Sequence, residues 1–310
     1  MRHPVRFIPA LLLCVGATLP LAAYADVRST AIIDVSQLRI LRSDGTPFTT
    51  SDFAQVSVMN QGNVFYHTGD STEFDIVSPT TGAVDVGLAC AGAPCPVTSE
   101  NDFSPLSASP GGYFSNVDQR QTGSLLAGDL HWQARSDSSA GSTADGFWGG
   151  DSESGVSLQF QLNEAGTMTV SFDATPFVEL SRPVAASSPG EQGSAGTFLR
   201  ITIADLTNNQ NVLFIEPEAL TDAARLQFSS DSQVGDLIYD PDTMSFSFTS
   251  GVLSPNNTYE LFISASAGTF ISAVPEPSSL AMFSAGMASL LLLRRRRAGR
   301  PQPAADRRKS

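Results

Sequence analysis

Between residues 26 and 273 this chain contains no lysine; the single lysine among its 310 residues is Lys309. Histidine is nearly as scarce, with only His67 and His131 in that span, and cysteine is limited to Cys14, Cys90 and Cys95. Each shortage removes a class of function. Over residues 26–273, eight arginines face 29 acidic residues, a net charge of −21. Such a surface has little positive charge with which to release counterions from phosphate, so nucleic acid is excluded as a partner and anionic lipid is repelled.

Enzymatic chemistry has few starting points. Two histidines leave little choice of general base, and neither G-x-S-x-G nor H-E-x-x-H occurs. "GDS" at 69–71 and 150–152 has the letters of an esterase nucleophile block, but the last histidine, His131, is far from where its D-x-x-H partner would stand. Acidic pairs abound, yet none lies in an apolar setting that would raise a pKa. The sequence predicts a protein that is not an enzyme and has no cofactor. Calcium has one candidate site, with Asp236, Asp240 and Asp242 of "DLIYDPDT" as oxygen ligands around a turn. Asp also favours turns for its own backbone hydrogen bonds.

Long apolar runs occur only near the two ends. Residues 7–22 are apolar after Arg2 and Arg6, and Ala23-Tyr24-Ala25 supplies small residues at Ala23 and Ala25. This is the pattern of a signal peptide spanning 1–25, cut by signal peptidase after Ala25. Leu13 before Cys14 argues against lipoprotein processing. An exported chain reaches an oxidising compartment, and "CAGAPC" can bend back on itself, so a Cys90–Cys95 disulfide is favoured over zinc, which would need two further ligands.

What fills residues 26–272 is short alternating runs between Gly, Asn, Asp, Ser and Pro. Strands are read at 31–40, 53–59, 129–134, 197–206, 211–216, 244–250 and 258–266. The clearest unit is 155–174, where Val156, Leu158, Phe160 and Leu162 alternate, "NEAG" turns the chain, and Met168, Val170 and Phe172 alternate again; it reads as a β-hairpin. "TNNQN" joins the strands at 197–206 and 211–216. "PEALTDAARLQF" (217–228) reads as one short helix, while 135–155 and 181–196 read as long surface loops. Residues 78–128 have weak patterning, and no sequence repeat is evident. The expected fold is all-β, an antiparallel β-sandwich of jelly-roll type forming one acidic ectodomain. Among aromatic residues, Trp148 in "DGFWGGD" is the candidate for contact with a carbohydrate, set against burial as a loop anchor.

The second apolar run has distinctive flanks. Val274, Pro275, Glu276 and Pro277 form "VPEP", in which each proline fixes its own φ and biases the preceding residue to an extended form. Ser278 and Ser279 can cap an apolar helix to Leu293, followed by Arg294, Arg295, Arg296 and Arg297. Sixteen residues from Ser278 span roughly 24 Å, short for a lasting anchor across a ~30 Å hydrocarbon core. The arginines would stay cytoplasmic and hold the acidic segment outside, with 298–310 a basic cytoplasmic tail.

Residues 273–297 resemble the PEP-CTERM sorting signal of exported bacterial proteins. The resemblance implies recognition by exosortase, a membrane enzyme that cleaves near Pro-Glu-Pro by transpeptidase-like cysteine chemistry, in Gram-negative hosts that make exopolysaccharide. The function it suggests is a structural or adhesive component of a biofilm or polysaccharide layer at the cell surface. A carbohydrate-binding module is the alternative, and a secreted hydrolase the third reading.

Overall fold

A run that alternates apolar and polar residues fits a strand with one face buried, and the computed structural model builds nearly all its regular structure this way. It describes residues 27–69, 71–96, 98–106, 112–140, 146–183, 192–229 and 232–273. Ala23, Ala25 and the segment from Val274 through the apolar run to Arg297 lie outside these. Among the described residues no helix is long and apolar enough to cross a membrane.

Among the described residues fourteen strands follow one another: β1 (Val27–Leu41), β2 (Phe53–Gly69), β3 (Ser71–Thr80), β4 (Val84–Ala93), β5 (Tyr113–Thr122), β6 (Leu130–Ala140), β7 (Gly146–Leu162), β8 (Thr169–Arg182), β9 (Gln192–Asp205), β10 (Gln210–Ile215), β11 (Arg225–Gln227), β12 (Gly235–Tyr239), β13 (Met244–Thr249) and β14 (Tyr259–Ala273). They form two antiparallel sheets. The first has the order β12-β8-β1-β6-β5-β4 with β13 also on β8; the second has β10-β9-β14-β7-β2-β3 with β11 on β9. The pairs β1/β8 and β2/β7 nest one inside the other, while β4, β5 and β6 run as a meander. Strands distant in sequence pair in both sheets, β1 with β6 and β8 in the first and β2 with β7 in the second.

The sheets bury their inner faces against each other. Ile33, Val35, Trp132, Val170 and Phe172 from the first meet Leu158, Phe160, Ile201, Leu261 and Ile263 from the second. In β1 the alternation breaks, since Ala31, Ile33 and Val35 are odd-numbered but Leu38 and Ile40 even. A bulge resolves the conflict: the register shifts between Val35 and Leu38, with Gln37 at φ 53°, so both halves face inward. Pro176, which has no N–H to give, falls between the stretches of β8 paired by β13 and by β12.

Several expectations are corrected. The segment 155–174 does supply two strands, but they do not pair; β7 lies in the second sheet and β8 in the first. Their apolar faces meet across the core, and the connection is a corner between sheets rather than a hairpin. By contrast, β9 and β10 do pair across "TNNQN". The helix read at 217–228 is a 3-10 turn at Glu218–Leu220 followed by β11. Its carbonyls are claimed from outside: Leu220 accepts from the Thr197 hydroxyl at 3.0 Å, Ala224 from the Thr197 amide at 3.1 Å and Ala219 from the Tyr239 hydroxyl at 2.9 Å.

The loop read at 135–155 is mostly strand, in β6 and β7. Three of its described serines are buried and bonded across the sheets: Ser136 to the Gly150 carbonyl (2.9 Å) and Thr269 (2.7 Å), Ser138 to Thr269 (2.7 Å), and Ser152 to the Asp118 carbonyl (2.6 Å). The loop read at 181–196 contains the end of β8 and the start of β9, and the weakly patterned 78–128 contains β4 and β5.

Candidate functional site

Outward-facing residues of the second sheet line up in rows, because antiparallel register places partners side by side on one face. One row runs Phe65, Asp151, Gly268, Gly196 across β2, β7, β14 and β9. The next on one side is Asn63, Glu153, Ser266, Phe198, and on the other His67, Gly149, Phe270, Ser194. Two glycines at the centre leave a trough of about 380 Å³, bounded by Phe65 and Asp151 on one side and by Thr221, Asp222 and Arg225 on the other.

The floor has an internal symmetry that corrects the expectation of no repeat. "SAGTF" occurs twice, at 194–198 and 266–270. The two copies pair antiparallel with Gly196 opposite Gly268, Ser194 opposite Phe270 and Phe198 opposite Ser266. The motif is thus related to itself by a local two-fold axis through the Gly–Gly pair. Its alternation sends Ala195, Thr197, Ala267 and Thr269 into the interior. Phe198 and Phe270 are left at opposite corners of the trough, four residues apart along the strands, or about 13 Å.

Both glycines answer a close approach. A Cβ on Gly196 would stand 3.2 Å from the Ala224 carbonyl oxygen, and one on Gly268 would stand 3.3 Å from Asp151 Oδ2. Burial pushes the Asp151 carboxyl up to about 7, with the Glu153 charge adding to the rise. Near neutral pH it can therefore donate as well as accept a hydrogen bond. Phe270 is 39% exposed and stacks on Phe147, itself 52% exposed, at 5.6 Å between centroids; the Arg200 guanidinium lies 5.0 Å from the Phe198 ring centre. His67 is held by Thr72, Nδ1 to Oγ1 at 2.8 Å. Flat apolar rings, a carboxyl that both gives and takes hydrogen bonds, and serine hydroxyls on a shallow floor can grip a polyhydroxylated chain.

The residues singled out from the sequence are placed as follows. Cys90 and Cys95 form a disulfide. Trp148 does not contact solvent as a ligand platform; it is 7% exposed, on the inner side of β7 with Leu180, Phe228 and Ile271, and its ring lies 5.1 Å from Tyr113. Period-two geometry decides this, since its neighbour Phe147 takes the outer face. Asp236, Asp240 and Asp242 do not converge. Asp236 lies within β12 and accepts a hydrogen bond from Ser181, while the other two follow the strand, and four extended residues separate Asp236 from Asp240 by about 13 Å. His131 is bonded to Asp34 at 3.0 Å. Sequence reasoning missed Phe65, Asp151, Gly196, Gly268 and Phe270, although the repeated pentapeptide was a signal for them.

Residues 273–297 match the PEP-CTERM protein-sorting motif. No curated protein and no solved structure matches the chain. The motif makes this an exported protein, transiently anchored in a membrane and processed by exosortase.

Proposed function

We propose that the exported chain is a non-catalytic adhesive component of the cell surface or extracellular matrix of a Gram-negative bacterium, and that it holds polysaccharide in the glycine-floored trough of the second sheet. The observation that carries this reading is the in-register pairing of the two "SAGTF" copies, which sets Phe198 and Phe270 at the corners of a shallow open floor beside Asp151. The acidic surface, with no lysine over residues 26–273, favours a neutral glycan over a polyanion. Its Asp and Glu side chains also keep the protein soluble among other matrix components.

Affinity electrophoresis in gels containing the host's exopolysaccharide tests this. The wild-type protein should be retarded. Phe270→Ala should lose at least tenfold in affinity, and Gly268→Val, whose side chain fills the floor and presses on Asp151, should lose retardation altogether. No retardation of the wild type, or equal retardation of all three, would sink the reading.

A hydrolase remains as a second reading on one observation: Asp151, raised to about 7, has Glu153 two residues along the same face. Release of reducing ends from the same polysaccharide would favour it; a binding protein releases none.

A further inference from the structure

The outer face of the first sheet carries an unusual burial of charge beneath the β4–β5 connection. Asp118 on β5 points away from the sandwich interior, since its neighbours Val117 and Gln119 face inward, yet it has no solvent exposure. The connection covers it. Cys90–Cys95 closes the start of that segment, and Arg135 clamps its middle by donating to the carbonyls of Asp102 (2.6 Å) and Ser104 (3.0 Å).

Glu100 and Asn101 of the same segment reach down to the sheet. The Leu88 amide, at the bulge of β4, donates to Glu100 Oε2 at 2.9 Å. The Asn101 amide donates to Asp118 Oδ2 at 2.8 Å, with Asn101 in a left-handed turn at φ 60°. The Asn101 side chain donates to Asp85 Oδ2 at 3.3 Å. Three carboxylates, from Asp85, Glu100 and Asp118, thereby bring an oxygen each to within 4.8 Å of one another. None of the ion pairs among the described residues involves any of them. Arg135, the cross-strand neighbour of Asp118, spends Nε on Asp137 and Nη1 on the two loop carbonyls, leaving Nη2 buried without a partner, and Arg120, opposite Asp85 in register, is exposed.

The independent sign of a missing partner is Asp118 Oδ1, a buried oxygen on a fully buried side chain that receives no hydrogen bond. The side-chain oxygen of Asn101 is buried and unpartnered as well. Leaving such groups bare is costly, and three mutually repelling carboxylates compound it. Burial, with Glu100 and Asp85 adding to it, raises the Asp118 carboxyl to about 6.

We propose that Asp85, Glu100 and Asp118 bind one calcium ion, which ties the β4–β5 connection to the sheet. The donors are all hard carboxylate oxygens. Three carboxylates of irregular arrangement beside an open, exposed side suit Ca²⁺, which accepts flexible geometry and a variable number of oxygens, better than Mg²⁺, which demands a near-ideal octahedron. The open side at the exposed Asp85 leaves room for water to complete the shell.

The test uses the full chain in detergent, stripped with EDTA and dialysed against radiolabelled CaCl2 at a pH of about 7.5. The wild type should bind one more equivalent of calcium than either Asp118→Asn or Asp85→Asn. Its Tm should rise by roughly 5–10 °C in millimolar CaCl2, clearly more than in MgCl2 or in either variant. Asp85 is exposed, so its substitution leaves the fold intact, and circular dichroism checks this. Equal calcium uptake by wild type and both variants, or a Tm that calcium does not move, would overturn the proposal.

Discussion

At the scale of single residues, the two raised carboxyls make the account testable by pH. Asp118 is pushed up to about 6 and Asp151 to about 7, both chiefly by burial. A raised acid binds its proton more tightly in the folded chain than in the unfolded one. Each therefore supports stability below its unfolded pKa, and that support is lost as pH rises through the folded value. With EDTA present, stability should fall between a pH of about 4 and 7. Asp118→Asn should remove the lower part of the decline and gain on the order of 2–3 kcal/mol at neutral pH, an upper figure from the size of the rise. Asp151→Asn should remove the part nearest 7. Thermal melts across that pH range check both, and an identical decline in the variants would contradict the assignment.

At the same scale, the sequence did not reveal which way Trp148 points. Trp148 and Phe147 are adjacent, and alternation requires only that they face opposite sides. The glycine-rich setting suggested an exposed tryptophan, yet Phe147 is outside and Trp148 is in the core.

At the scale of elements, periodicity located strands better than it located their partners. Phe160 and Phe172 both lie in the main core, and their alternation read correctly as two half-buried strands. Nothing in alternation says whether two such strands are neighbours in one sheet or face each other across a sandwich, so the corner at "NEAG" passed for a hairpin. In β6 and β7 the failure was different. Ser136, Ser138, Ser152 and Ser154 face a polar stretch of the interior where hydroxyls bond to carbonyls and to one another, so the hydrophobic signal that marks a strand was missing.

That stretch makes a specific demand. A Cβ on Gly150 would come within 2.5 Å of Val117 Cγ1 and 3.1 Å of Ser136 Oγ. Gly150→Ala should cost about 1–3 kcal/mol by overpacking, measured from the urea midpoint. The bulge in β1 predicts the opposite sign. Gln37 is exposed at φ 53°, so Gln37→Gly should gain roughly 0.5–1 kcal/mol by relieving a left-handed conformation. A loss in that variant would mean that the Gln37 side chain has a role of its own.

At the scale of the whole molecule, destination was more legible than activity. The "VPEP", apolar and arginine segments were identifiable because each is a short linear pattern of adjacent residues, legible without knowing any strand pairing. The trough needed register: Gly196 and Gly268 are 72 residues apart in sequence, and only strand pairing brings the two "SAGTF" copies together. Sorting predicts a definite product. Protein recovered from the host envelope should begin at Asp26 and end near Pro-Glu-Pro by intact mass, and a species retaining Arg294–Arg297 would mean that the segment remains as a lasting anchor.

Polysaccharide bound as proposed would lie on the floor made by Gly196 and Gly268. Hydrogen exchange on the full chain, with and without the host's exopolysaccharide, reads this directly. The account predicts added protection in 194–198, 266–270 and the flanking 221–225, with none on the outer face of β4–β6. Protection confined to other surfaces, or no change at saturating polysaccharide, would contradict it.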